Sequence, residues 1–164
     1  SPRDPITSFS QAINMLGRRQ LQRWLQLLVY SDPNNGQHPN PLLQKAAARG
    51  RLLELLAPHR GDTSAENFPG DIAFMVGTFS LLDALLNISI QEIVSQLPLP
   101  DIAGKALAGH EGPLGALLAA IVAADRRELN TASLRLKALG INAEVYLDAQ
   151  LQALSWAAKI RSLG

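Results

Sequence analysis

The chain has 164 residues, 47% of them hydrophobic and only 18% charged, with a net charge of +1. That length suits one domain able to bury a core without staples. The charge balance selects neither nucleic acid nor an anionic membrane as partner. The absence of cysteine excludes a disulfide framework and any thiolate metal site, and fits a reducing, cytoplasmic setting. No run of 18 uninterrupted apolar residues and no signal-peptide pattern is present. The opening SPRDPIT reads like the interior of a longer protein, so a domain cut from a larger polypeptide is expected.

Thr7 and Ser8 are good N-cap residues, and Gln11 completes a capping-box spacing. Phe9, Ala12, Ile13 and Leu16 then follow a helical period up to Gly17. A second helix is expected from about Arg18 to Tyr30, with Leu21, Trp24, Leu25 and Leu28 inward and Arg18, Arg19 and Arg23 outward. The run SDPNNGQHP, residues 31–39, is a loop. Asn40 and Pro41 open a helix to about Ala57, where Pro58 closes it. Its inner stripe reads Leu42, Ala46, Leu53 and Leu56, and Arg49 falls within that stripe. Residues 59–70 form the longest irregular connection.

The stretch DIAFMVGTFSLLDALL, residues 71–86, is apolar on every side and predicts a buried core helix. At about 16 residues it is too short to cross a bilayer comfortably. Ala73, Gly77, Ser80 and Ala84 form a face of small side chains that admits a close neighbour. Ile72, Met75, Phe79, Leu82 and Leu86 form a larger, space-filling face. Ser89-Ile90-Gln91-Glu92 is a capping box for a short helix ending by Pro98. Asp101 caps another to about Ala108, and residues 109–112 turn. Pro113 starts an almost wholly apolar helix to Ala124, ended by the charged group Asp125-Arg126-Arg127-Glu128. One more helix runs from Asn130 to Leu139. Asn142 caps the last, whose inner residues are read as Val145, Leu151, Leu154 and Ile160, with Tyr146 and Trp156 beside them. No period-two alternation appears. The fold expected is all-α: a compact bundle of about eight or nine helices without a sheet.

Few residues suggest chemistry. His38, His59 and His110 all fall in loops without metal-ligand spacing, and read as solvated side chains. No phosphate-cradling glycine loop and no GxSxG elbow is present. Arg18, Arg19 and Arg23 could touch phosphate, but no aromatic residues interleave for base stacking, so a solvated face or a partner surface is the better reading. Asp83 lies near the end of an apolar helix, where the macrodipole disfavours an anion. Arg49 faces the converse problem in its own apolar stripe. The expectation is an Arg49–Asp83 ion pair, with Asp83→Ala costing a few kcal/mol as a broken buried pair does; the alternative is that both side chains sit at the rim in water, where the cost would be under about 0.5 kcal/mol.

Four segments together carry a resemblance: ITSFSQAINMLGRRQLQRWLQLL, NPLLQKAAARGRLLELL, DIAFMVGTFSLLDALL and EGPLGALLAAIVAAD. They resemble the HD-related output domain, HDOD, in the subgroup where it follows an EAL cyclic di-GMP phosphodiesterase module. The resemblance spans about Ile6 to Trp156 and implies an HD-domain-like bundle, a single domain over 1–164 truncated at its N-terminal end. It also implies that the ancestral metal-binding His-Asp pair falls at Ser80 and Leu81. A hydroxyl and a hydrocarbon there leave no metal centre, no cofactor and no catalytic residue. The implied function is non-catalytic signalling through protein contact, with an EAL domain or a homodimer mate as partner. The Arg18/Arg19/Arg23 face and the 59–70 loop are the expected contact surfaces. The alternatives are a divalent-metal phosphohydrolase of the HD superfamily, or a nucleic-acid-binding regulator using the arginine face.

Overall fold

The structure, a computed structural model, describes residues 41–61 and 68–159. Eight α-helices and no strand occur among these residues, so the expected all-α bundle is the fold observed. In chain order they are α1 (Pro41–Leu56), α2 (Gly70–Phe79), α3 (Leu82–Leu86), α4 (Ile90–Gln96), α5 (Asp101–Gly109), α6 (Gly112–Asp125), α7 (Leu129–Ala138) and α8 (Ala143–Lys159). A short 3-10 turn, Ala57–His59, follows α1 where Pro58 ends the regular helix. The two helices expected before residue 40 lie outside the described residues.

The core forms around α2. Every residue from Ala73 to Phe79 is buried, as a helix apolar on all sides requires. Its small face meets α1 at a glycine-to-glycine crossing. A Cβ placed on Gly77 would stand 2.7 Å from both the Arg49 carbonyl oxygen and the Gly50 Cα. The backbones therefore touch, and α1 packs more extensively on α2 than on any other helix. The small face does not extend to Ala84, which is exposed.

The expected single helix over 71–86 is interrupted at Ser80–Leu81. Ser80 Oγ donates to the Gly77 carbonyl at 2.7 Å, and Leu81 leaves helical geometry with φ −108° and ψ 4°. A hydroxyl bonding back onto the preceding turn competes with the helical ladder. The remaining five residues form α3, which ends at Asn87 in the left-handed region.

Helix α6 is the second apolar element and packs between α5 and α7. Residues 101–125 are long and apolar enough to cross a membrane by composition, but 56% of their most apolar window is buried inside the bundle. Ser89 caps α4 as expected, its Oγ accepting from the Glu92 N–H at 3.2 Å. Asn142 caps α8, with Oδ1 accepting from the Val145 N–H at 2.8 Å. Asp101 is the first residue of α5, one past the cap position.

Two inner faces differ from expectation. In α1 the buried apolar residues are Leu43, Ala46, Ala47, Leu52, Leu53 and Leu56, and Leu42 is half-buried. In α8 the inward residues are Ala149, Ala153 and Ala157. Leu151 and Leu154, expected inside, are exposed, as is Leu147. Alanine at i, i+4 and i+8 allows α8 to lie close to α1, which leucine at those positions would prevent. Trp156 is half-buried and meets Phe74 edge-on, ring centroids 5.6 Å apart. Ile160 lies outside the described residues.

Gly77→Ala is expected to destabilise the fold by about 2 kcal/mol or more, because overpacking against immovable backbone outweighs the better helix propensity of alanine. Gly104→Ala is the control: its nearest obstacle is Val94 Cγ1 at 3.5 Å, an ordinary contact, so stability should rise slightly or stay level. Urea unfolding of both variants checks the contrast.

Candidate functional site

Arg49 follows from the same crossing. It precedes Gly50 on α1, and Ser80 lies three residues past Gly77, so the close approach of α1 and α2 brings the two together. Arg49 is 8% exposed. One terminal nitrogen, Nη1, donates to Ser80 Oγ at 2.9 Å. The other, Nη2, donates to Asp125 Oδ2 at 2.7 Å. Lys45, one turn earlier on α1, also reaches Asp125 Oδ2 at 2.7 Å.

The partner of Arg49 is thus Asp125, and the expected pair with Asp83 does not form. The break at Ser80–Leu81 leaves Asp83 in the first turn of α3 rather than near the end of a long helix. There it is exposed, and its Oδ1 accepts from the Ala84 N–H at 2.8 Å. Asp125 meets the condition first assigned to Asp83. It is the last residue of an apolar helix, where the dipole disfavours a carboxylate, and two cations from α1 compensate it. The sequence signal was available in the apolar run ending at Asp125.

Two cavities flank this cluster. One, of about 300 Å³, runs between α1, α6 and α8 and is lined by Ala48, Leu52, Ala153 and Leu154 among others. The second, of about 370 Å³, lies over Ser80 and Leu81 and is edged by Asp83, His110 and Arg126. Lys45, Arg49 and Asp125 line both, so the charged cluster is their common wall.

The electrostatics of the wall are set by this geometry. Burial alone would raise the Asp125 pKa, but hydrogen bonds from Lys45 and Arg49 and their charges override it and hold it below the ordinary 3.8. His110 terminates α5 in the left-handed region, φ 53°. Partial desolvation, then the charges of Arg135, Arg126 and Arg49, lower its pKa from the ordinary 6.5. Tyr146 is shifted upward by burial and by the charge of Asp125.

Among the described residues, no group of three or more His, Cys, Asp or Glu side chains could hold a metal ion. Leu81 cannot ligate, and the Ser80 hydroxyl already accepts from a guanidinium and donates to a carbonyl. A divalent cation would also meet the charge of Arg49 here, so the donor set does not fit a metal. His59 is exposed. Arg18, Arg19, Arg23, His38 and residues 62–67 of the expected contact loop lie outside the described residues.

Fold and site together define a helical bundle whose charged cleft is organised by a buried arginine of its own. The chain is similar to the cyclic di-GMP phosphodiesterase CdgJ of Vibrio cholerae, with 32% identity over 158 residues covering 96% of this chain and 35% of that protein. It is similar also to the uncharacterized protein YuxH of Bacillus subtilis, with 31% identity over 155 residues, 92% of this chain and 36% of that protein. It is therefore a helical domain distantly related to a bacterial cyclic di-GMP signalling protein, and it spans about a third of the length of the curated relatives it matches. No family model and no solved structure matches it.

Removing Asp125 leaves Arg49 buried and unpaired. Such losses cost about 3–5 kcal/mol when both partners are buried. Because the Asp125 side chain is 37% exposed, water screens part of this, and Asp125→Ala should cost about 1–3 kcal/mol. Asp83→Ala, at an exposed site, should stay within about 0.5 kcal/mol of wild type. Urea midpoints at pH 7 distinguish the two.

The pKa shifts set the acid limb of stability. Folding disfavours charged His110, so its contribution is complete above pH 6.5 and is lost as pH falls through the depressed folded value. Folding favours ionised Asp125, so its contribution is present above pH 3.8 and is lost as pH falls through its folded value. His110→Asn, which also tolerates the left-handed backbone, should flatten the decline that begins just below pH 6.5 and leave the lower limb in place. Thermal unfolding across a pH series measures both limbs.

Proposed function

We propose that this chain is a non-catalytic, cytoplasmic signalling domain of the HDOD type. It acts through protein–protein contact and, in its full-length protein, is coupled to an EAL cyclic di-GMP phosphodiesterase module. The carrying observation is the Arg49 guanidinium bonded to Ser80 and Asp125, a fixed cation in the wall of the cleft where the resemblance expects a hydrolytic metal. A site whose cation is a fixed side chain has no open coordination position with which to activate water. The similarity to CdgJ supports the signalling context.

The outer face of α8 supports contact with protein. Leu147, Leu151 and Leu154 are 56%, 69% and 54% exposed, on the side of the helix away from its buried alanines. A helix apolar on both faces has more apolar surface than the bundle covers, as interaction elements do.

Two measurements test this reading. The purified chain, supplied in turn with manganese, magnesium, iron and zinc, should retain no stoichiometric metal by elemental analysis and show no phosphodiester turnover. In the full-length protein, Leu151→Glu should leave the fold intact by circular dichroism yet change cyclic di-GMP hydrolysis by about five-fold, the lower end of ordinary coupling. Metal retained with turnover, or hydrolysis indifferent to Leu151→Glu, would overturn the proposal.

A further inference from the structure

We propose that the cavity over Ser80 and Leu81 binds a small oxyanion, a phosphate group either free in solution or carried by a metabolite. The cavity is an open cleft of about 370 Å³, at the small end of ligand sites. Its floor and walls include Leu107, Leu118 and Val122, apolar groups that weaken solvent screening inside it.

Its charges do not balance. Three permanent cations line it, Lys45 and Arg49 from α1 and Arg126 at the end of α6. Among the described residues Asp125 is the one carboxylate in contact with them, and its Oδ2 is shared between Lys45 and Arg49. Arg126 makes no ion pair with any described residue and is exposed at the rim. Asp83 from α3 is the other acid of the lining, and it is exposed. The cleft therefore keeps an excess positive charge after internal pairing, in the geometry that raises local anion concentration.

His110 lies in the same field. It faces the cavity from the end of α5, with Glu111 following it in sequence and Arg135 acting on it from α7. Its pKa is lowered first by desolvation and then by the charges of Arg135, Arg126 and Arg49. A bound dianion would supply the missing negative charge and draw a proton onto the imidazole. Arginine and lysine together suit phosphate oxygens, the first as a fork and the second as a point charge. The inference adds a small-molecule input to the contact role proposed above, and does not depend on it.

The test follows the His110 Hε1 resonance in the 164-residue chain while inorganic phosphate or glycerol 3-phosphate is added, against sodium chloride at matched ionic strength. Saturable shifts with a raised His110 pKa are expected for at least one phosphate probe and not for chloride. Arg126→Ala should weaken binding by about five-fold or more, roughly 1 kcal/mol. Asp83→Asn, which removes a repelling charge, should tighten it by about two-fold. Both residues are exposed, so these opposite changes do not arise from unfolding. Tighter binding of glycerol 3-phosphate identifies a metabolite site, and tighter binding of phosphate identifies a free-anion site. Absence of saturation with both probes, an equal response to chloride, or indifference to both substitutions would overturn the proposal. None of those outcomes would touch the contact role, which is read from α8 and from hydrolysis in the full-length protein.

Discussion

The contact of Gly50 with Gly77 sets the geometry on which the other features depend. Two helices can touch backbone to backbone only where neither carries a Cβ at the crossing, and here a single methyl would stand 2.7 Å from main-chain atoms. Because Arg49 adjoins one glycine and Ser80 lies a turn beyond the other, that approach delivers the guanidinium to the break between α2 and α3. The same approach buries Arg49, so its charge must be met inside the molecule. Asp125 meets it at the end of α6, and Lys45 makes up for the unfavourable dipole that Asp125 experiences there.

A buried ion pair is weak evidence for net stability, because desolvation offsets much of its attraction. Its structural effect is clearer. It ties α1 to α6 through one carboxylate. It also forms the wall between the cleft over Ser80 and the groove beside α8.

Much of the fold was legible from the residues. The stretch 71–86 had no polar side, so it had to be central, and Ala73 to Phe79 are buried. Ser89 and Asn142 were recognisable caps because their side-chain oxygens reach N–H groups within their own turn. The small face of Ala73 and Gly77 announced a close neighbour, though not that the neighbour would present Gly50. The site was less legible. An aspartate ending an apolar helix needs a cation, and the residue in that position is Asp125 rather than Asp83. Whether the helix ran through Ser80 decided which aspartate met that condition, and a serine hydroxyl bonding to Gly77 is a local competition that hydropathy does not register. The phase of α8 was misread for a related reason: leucines outweigh alanines in any hydrophobic pattern, while close helix packing selects the alanines.

The sequence by itself determined the helical class, the central element, the caps of α4 and α8 and the lack of a metal-ligating His-Asp pair at positions 80 and 81, because these depend on side-chain chemistry and on periodicity within a few turns. Tertiary structure alone decided that Arg49 meets Asp125, 76 residues away, that one carboxylate serves two cations, and that α8 turns its leucines outward. Those outcomes depend on how closely two backbones approach and at what angle, which no single helix specifies from its own residues.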